Sequence, residues 1–238
     1  MNPSRFIFDE NLIREKLLPL NSSSRLVLED DCFIKSAILF LIIPHADNPY
    51  DLVLIRRTKN DKDKHSGEMG FPGGVVDAKD SSLEETALRE CEEELGIPRG
   101  NITILGSFDD HITPQRFIIT PVVGYIKPEQ KMVKEEKEVD EIVNIPISFF
   151  ADKKKYRGRN YLLDGDPIEV GKYNFRSKEG KKYVIFGATS HIIVHFIQTV
   201  YPIQLMKPGA RRLNCEDMEK RLTQKFVNDV KRSFISEE

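Results

Sequence analysis

The sequence carries no excess of charge: 36 Lys and Arg against 38 Asp and Glu leave a formal charge of −2 over 238 residues. Binding nucleic acid irrespective of its sequence needs a basic surplus or stripe, so no nucleic-acid partner is expected. Cysteine is scarce as well. Cys32, Cys91 and Cys215 are odd in number, far apart and never in a CxxC pair, which argues against a disulfide framework or a zinc site. A reducing, cytoplasmic setting is the simplest expectation. The longest apolar run, Ala37–Pro44, falls far short of the roughly 20 residues of a membrane-spanning helix. The start, Met1-Asn2-Pro3-Ser4-Arg5, lacks an apolar signal core, and the end, Ser236-Glu237-Glu238, carries no peroxisomal tripeptide or lipidation cysteine. Internal repeats and low-complexity tracts are missing too. A soluble protein without an address signal or membrane partner is expected.

What is present suits one large domain with appendages. Helical spacing of Leu12, Ile13, Lys16 and Leu17 predicts a helix over Glu10–Leu18. Strands are expected at Phe33–Ile43, Leu52–Arg57, Ile102–Phe108, Phe117–Ile126, Glu141–Ile145, Ile168–Phe175 and Tyr183–Phe186. Ala188–Val200 reads as a buried helix. Within it His191 and His195 stand four apart, but their apolar neighbours favour a core role over metal ligation. His45 and His111 fall in loops with no evident partner, and Glu129–Glu138 reads as a solvated loop. A last helix, Asn214–Phe234, carries the stripe Met218, Leu222, Phe226, Val230, Phe234. That stripe is expected to pack on the domain or on the second copy of a homodimer. The expected division is an N-terminal helical extension (1–32), a catalytic domain (33–203) and a C-terminal helical extension (204–238). Strands mixed with helices predict an α/β sandwich with a mixed central sheet and an added C-terminal helix.

The segment Ser82–Leu95 carries the chemistry. Ser82 with Glu85, or Ser81 with Glu84, forms a capping box, and Gly96 and Pro98 supply the stop. Leu83, Ala87, Cys91 and Leu95 share one stripe, while Glu90 and Glu94 sit one turn apart on a neighbouring face beside Glu93. Arg89 lies one turn before Glu93 and can orient or neutralise it. Like charges at that spacing cost an isolated helix a few tenths of a kcal/mol per pair, roughly. A divalent cation reverses the penalty, since magnesium takes oxygen ligands, water and substrate phosphates. Gly73 and Gly74 allow backbone to approach phosphates closely. The spacing alone is equally compatible with an ordinary glutamate-rich surface helix.

The wider pattern resembles the Nudix box, Gx5Ex7REUxEExGU with U apolar. Arg89-Glu90-Cys91-Glu92-Glu93-Glu94-Leu95-Gly96-Ile97 fits its REUxEExGU half without a gap. The resemblance implies a Nudix-type α/β/α sandwich and hydrolysis of a pyrophosphate bond. It also implies Mg2+ or Mn2+ held by Glu90, Glu93, Glu94 and the Gly74 backbone, with Glu93, Glu90 and Arg89 as catalytic residues. The stretch from Gly74 to Ile97 is one residue longer than the standard box, so Asp80 is expected to stand in for the first glutamate, with an insertion before the helix. Glu138 and Glu141 are candidate extra ligands.

Upstream, Leu52-Val53-Leu54-Ile55-Arg56-Arg57-Thr58 and Gly67, separated by three residues from Phe71-Pro72-Gly73-Gly74, resemble the extra motif of the coenzyme A pyrophosphatase branch. Phe117–Gly124 and Val184–Thr189 are similar to that branch too. The motif's internal arginine is replaced by Asp63 between Lys62 and Lys64. A lysine supplies that charge as a point rather than a fork. This resemblance implies cleavage of coenzyme A or an acyl derivative to phosphopantetheine and 3′,5′-ADP. Arg57, Lys62, Lys64, His65, Gly67, Phe71 and Gly73 then bind the substrate. Rival expectations are an ADP-ribose, sugar-nucleotide or dinucleotide pyrophosphatase, and a nucleotide sensor that has lost turnover.

Overall fold

The computed structural model describes residues 3–59, 67–163, 166–213 and 217. Lys62, Asp63, Lys64 and His65 lie outside the described residues, as does the expected helix 214–234 apart from Asp217.

The first long strand, β1 (Ile34–Ile43), explains the layering. It is apolar nearly throughout because both of its faces are covered. Phe40 and Ile42 belong to one core, with Phe196, Ile193 and Ile197; Ala37, Leu39, Leu41 and Ile43 belong to a second, with Ala87, Cys91 and Leu95. Those partners come from two helices on opposite sides of the sheet.

In chain order, α1 (Glu10–Lys16) is capped by Asp9, whose side chain accepts the Leu12 N–H. After β1 come β2 (Asp51–Arg57), β3 (Met69–Gly70), β4 (Gly73–Val75) and α2 (Leu83–Leu95). Then follow β5 (Thr103–Ser107), β6 (His111–Ile112), β7 (Phe117–Tyr125), β8 (Val139–Pro146) and α3 (Ile147–Ala151). The chain continues with β9 (Tyr156–Leu163), β10 (Asp166–Arg176), β11 (Lys182–Phe186) and α4 (Gly187–Val200). The main sheet runs β3-β2-β1-β7-β5, with β4 on β1, β6 on β7 and β8 on β2. β1 and β7 are parallel and the other pairs antiparallel. A second, antiparallel sheet has the order β11-β10-β9. This is the mixed α/β sandwich that the sequence led us to expect.

Several features differ from the sequence reading: the short strands β3, β4 and β6 and the helix α3 were not expected, and His111 stands on β6 rather than in a loop. β9 was not expected, because Arg157, Arg159 and Asn160 break any apolar alternation; the strand forms on the edge of the second sheet, where these side chains stand exposed. The N-terminal segment also enters the main core: Phe6, Ile13 and Leu17 are buried in it, and Leu18 bridges to Ser107.

β4 places the glycines. It pairs antiparallel with the start of β1, Val75 opposite Ser36, Gly74 opposite Ala37 and Gly73 opposite Ile38. The second glycine thereby faces α2.

Candidate active site

The local signals at both ends of α2 hold. Ser82 Oγ accepts the Glu85 N–H at 3.1 Å, and Gly96 ends the helix in the left-handed region with its N–H on the Glu92 carbonyl at 2.9 Å. The reciprocal half of the expected capping box is absent, because the Glu85 carboxylate is drawn away by Arg99.

Arg89 is the hub of the helix's polar face. Its Nε and Nη2 donate to the two oxygens of Asp80 at 2.8 and 2.9 Å, a two-bond fork. Nη1 donates to Glu90 Oε1 at 2.8 Å and to Glu93 Oε2 at 3.0 Å, and Nη2 also reaches the Val75 carbonyl. Asp80 Oδ2 accepts further bonds from Thr86 Oγ1 and the Asp77 N–H. Arg89 and these donors hold the Asp80 carboxyl well below the usual carboxylate range. Asp80 is thus the acidic side chain that fixes Arg89 from outside the helix. The extra residue lies between Asp80 and Arg89, ahead of the helix, and the Asp80 N–H closes a turn on the Asp77 carbonyl just before it.

The three glutamates have different environments. Glu93 is exposed. Glu90 is partly buried, and burial raises its pKa against the pull of Arg89. Glu94 is 1% exposed, although it lies on the face of the helix that neighbours the apolar stripe. Its Oε2 accepts the Gly73 N–H at 3.0 Å. Burial pushes Glu94 up to about 8, and the charges of Glu90 and Glu138 push the same way.

A side chain at either glycine would meet a neighbour, fixed backbone at Gly73 and the movable Glu90 carboxylate at Gly74. A Cβ on Gly74 would stand 2.4 Å from the Glu90 carboxyl carbon, and one on Gly73, where φ is +152°, would stand 2.4 Å from the Ala37 carbonyl oxygen.

These residues border a cavity of about 540 Å³. Arg57, Phe71, Gly73, Gly74, Glu90 and Glu94 line it; Arg89, Glu93 and Gly67 do not. Glu138 lines it too, whereas Glu141 is engaged by the Tyr183 hydroxyl at 2.8 Å and by Lys181 at 2.7 Å. Glu68 was missed in the sequence, although it directly follows Gly67 in the quoted motif. His111 was also missed; it is buried and lines the cavity together with His191, whose Nε2 accepts the Gly171 N–H at 3.1 Å.

Among the described residues, no three His, Cys, Asp or Glu side chains already converge as a metal centre; Glu90 and Glu93 are turned toward Arg89. The chemistry of the donors nonetheless fits a hard dication. They are all carboxylate or backbone oxygen, and Glu90 and Glu94 bear mutual repulsion beside the cavity, which a cation would relieve.

The NUDIX domain model matches residues 35–161. A protein of Pectobacterium atrosepticum named uncharacterized Nudix hydrolase NudL is 35% identical over 172 residues, which cover 68% of this chain and 86% of that protein. Its namesake from Photorhabdus laumondii is 30% identical over 160 residues, covering 67% and 83%. A solved MutT/nudix family protein from Enterococcus faecalis superimposes with a TM-score of 0.45 at 17% identity, covering 75% of this chain and 66% of that one.

Proposed function

The chain belongs to the NUDIX domain family and is a Nudix hydrolase, an enzyme of pyrophosphate bonds, and from that premise we propose that its substrate is coenzyme A or an acyl-coenzyme A. The products are 3′,5′-ADP and the (acyl-)phosphopantetheine.

In this reading Glu90, Glu94 and the Gly74 backbone hold a magnesium or manganese ion, with Glu93 joining them. Bound there, the ion screens the pyrophosphate, polarises phosphorus and lowers the pKa of water. Arg89 is a positioning residue: it orients Glu90 and Glu93 and is itself fixed by Asp80. One of the three glutamates takes the proton of the attacking water, Glu90 and Glu94 standing on the cavity wall and Glu93 one hydrogen bond from Arg89 beside them. Gly73 and Gly74 let the backbone lie close to the phosphates, and Arg57 on the cavity wall meets their charge. Lys62, Lys64, His65 and Gly67 belong to the segment that grips the 3′-phosphoadenosine end.

One observation carries the substrate assignment. The Phe71-Pro72-Gly73-Gly74 segment, preceded at the motif's spacing by Gly67, places Phe71 and both glycines on the cavity wall beside Glu90 and Glu94. The test is a panel of coenzyme A, ADP-ribose, sugar nucleotides and dinucleotides assayed with magnesium. Coenzyme A should have the highest kcat/KM. Preference for ADP-ribose replaces the substrate assignment, and binding without turnover makes the chain a sensor.

A further inference from the structure

The cavity has two kinds of wall. Among the described lining residues every Asp, Glu, Lys or Arg (Arg57, Glu68, Glu90, Glu94 and Glu138) comes from β2, α2 or the segments flanking β3 and β8. Those supplied by β6, β7 and α4 include none. Ile38, Phe117, Ile119 and Phe186 are only partly buried, so they retain surface facing a space rather than a packed core.

Strand register gives the depth of this chamber. Val75 on β4 pairs with Ser36 on β1, Ser36 with Ile119 on β7, and Ile119 with His111 on β6. All four line the cavity, so they form one row across its floor. Three interstrand steps make that row about 14 Å long. The N-terminal turn of α4 covers the row, anchored to β3 by Thr189 Oγ1 on the Met69 carbonyl at 3.1 Å. His111 closes the far end, its ring against that of His191 at 5.7 Å.

We infer that this chamber takes the acyl-pantetheine arm of the substrate, with Ile38, Phe117, Ile119 and Phe186 around the chain and His111 at its end. The inference rests on the coenzyme A reading above. The two amides and the hydroxyl of a pantetheine arm need hydrogen-bond partners, and Ser36, Thr113, Gln115 and Thr189 on the same walls offer them beside the apolar side chains. An alkyl thioester brings methylenes to the same walls. With the pyrophosphate at Gly73 and Gly74, an arm running along the row from Val75 ends at His111. An extended pantetheine arm takes up most of a row of about 14 Å, so Ile119 and His111 meet its sulfur end and the first acyl carbons.

The test is kcat/KM of the full-length protein with magnesium on coenzyme A and on its acetyl, butyryl, hexanoyl and octanoyl thioesters. Efficiency should rise with chain length, by up to about fourfold per buried methylene, until the chamber is full. Ile119→Trp, which shortens the chamber, should reduce the octanoyl-to-free-coenzyme ratio, and Ile38→Ala, which widens it, should move the optimum to longer chains. Opposite shifts in two variants do not arise from misfolding, and the ratio within one variant is independent of its active fraction. Cleavage of coenzyme A with a flat series, or an optimum that neither variant moves, overturns the chamber assignment alone. Cleavage of ADP-ribose with no cleavage of any coenzyme A species overturns the substrate reading, and the assignment with it.

Discussion

Asp80 and Arg89 are joined by two near-parallel hydrogen bonds of 2.8 and 2.9 Å, across a turn one residue longer than the standard box provides. The fork fixes the guanidinium plane, and that plane aims Nη1 at Glu90 and Glu93. The aspartate, one methylene shorter than the expected glutamate, makes both bonds from the turn ahead of the helix. Asp80→Asn should keep the fold and lower kcat by about ten- to hundredfold, with KM little changed. Because the carboxyl is depressed, its stabilising contribution is present above its ordinary pKa of 3.8 and is lost as pH falls below it. Wild-type kcat in Asp80→Asn would remove Arg89's dependence on the pair.

Glu94 has the opposite linkage. Its proton is held more tightly in the folded chain, up to about 8, than at the ordinary value of 4.5. Without added metal, stability should therefore fall as pH rises from about 4.5 to 8 and level off above. Glu94→Gln should flatten that slope and melt higher than wild type at pH 8 in EDTA. Magnesium binding should release protons over the same interval. Melts across pH with and without EDTA read both effects.

Glu93→Gln and Glu94→Gln should each lower turnover by about two to four powers of ten, roughly 3–5 kcal/mol of barrier. Since Glu94 is buried, its variant needs a circular dichroism melt beside the assay. Near wild-type rates at saturating magnesium in either variant contradict its assigned role.

Gly74→Ala sets a methyl group against the Glu90 carboxylate. Activity should drop by at least about tenfold through displacement of that group, and higher magnesium should recover part of the loss. The metal dependence of kcat/KM checks this directly.

Dephospho-coenzyme A isolates the 3′-phosphate. A charge-assisted contact of about 1.5–3 kcal/mol corresponds to roughly ten- to hundredfold in kcat/KM, so it should be the poorer substrate. Lys64→Ala should narrow the gap more than it harms the reaction with dephospho-coenzyme A. Equal efficiencies would remove the argument from the 3′-phosphate.

The sequence by itself determined α2, its caps at Ser82 and Gly96, and the glutamates along it, because caps and i, i+4 spacings depend on residues within two turns of one another. It determined the layering as well, since a strand that is apolar on both faces must be covered on both. Only the tertiary structure decided that Glu94 is buried while Glu93, its neighbour, is exposed; the difference comes from where β4 crosses the helix. Only the tertiary structure made β9 a strand, through pairing with β10 rather than any propensity of its own. His111 stood in the sequence as a loop histidine without a partner. Cross-strand register, which joins Val75, Ser36, Ile119 and His111 from four separate stretches of chain, brought it to the end of the cavity, and no spacing along a single segment encodes such a row.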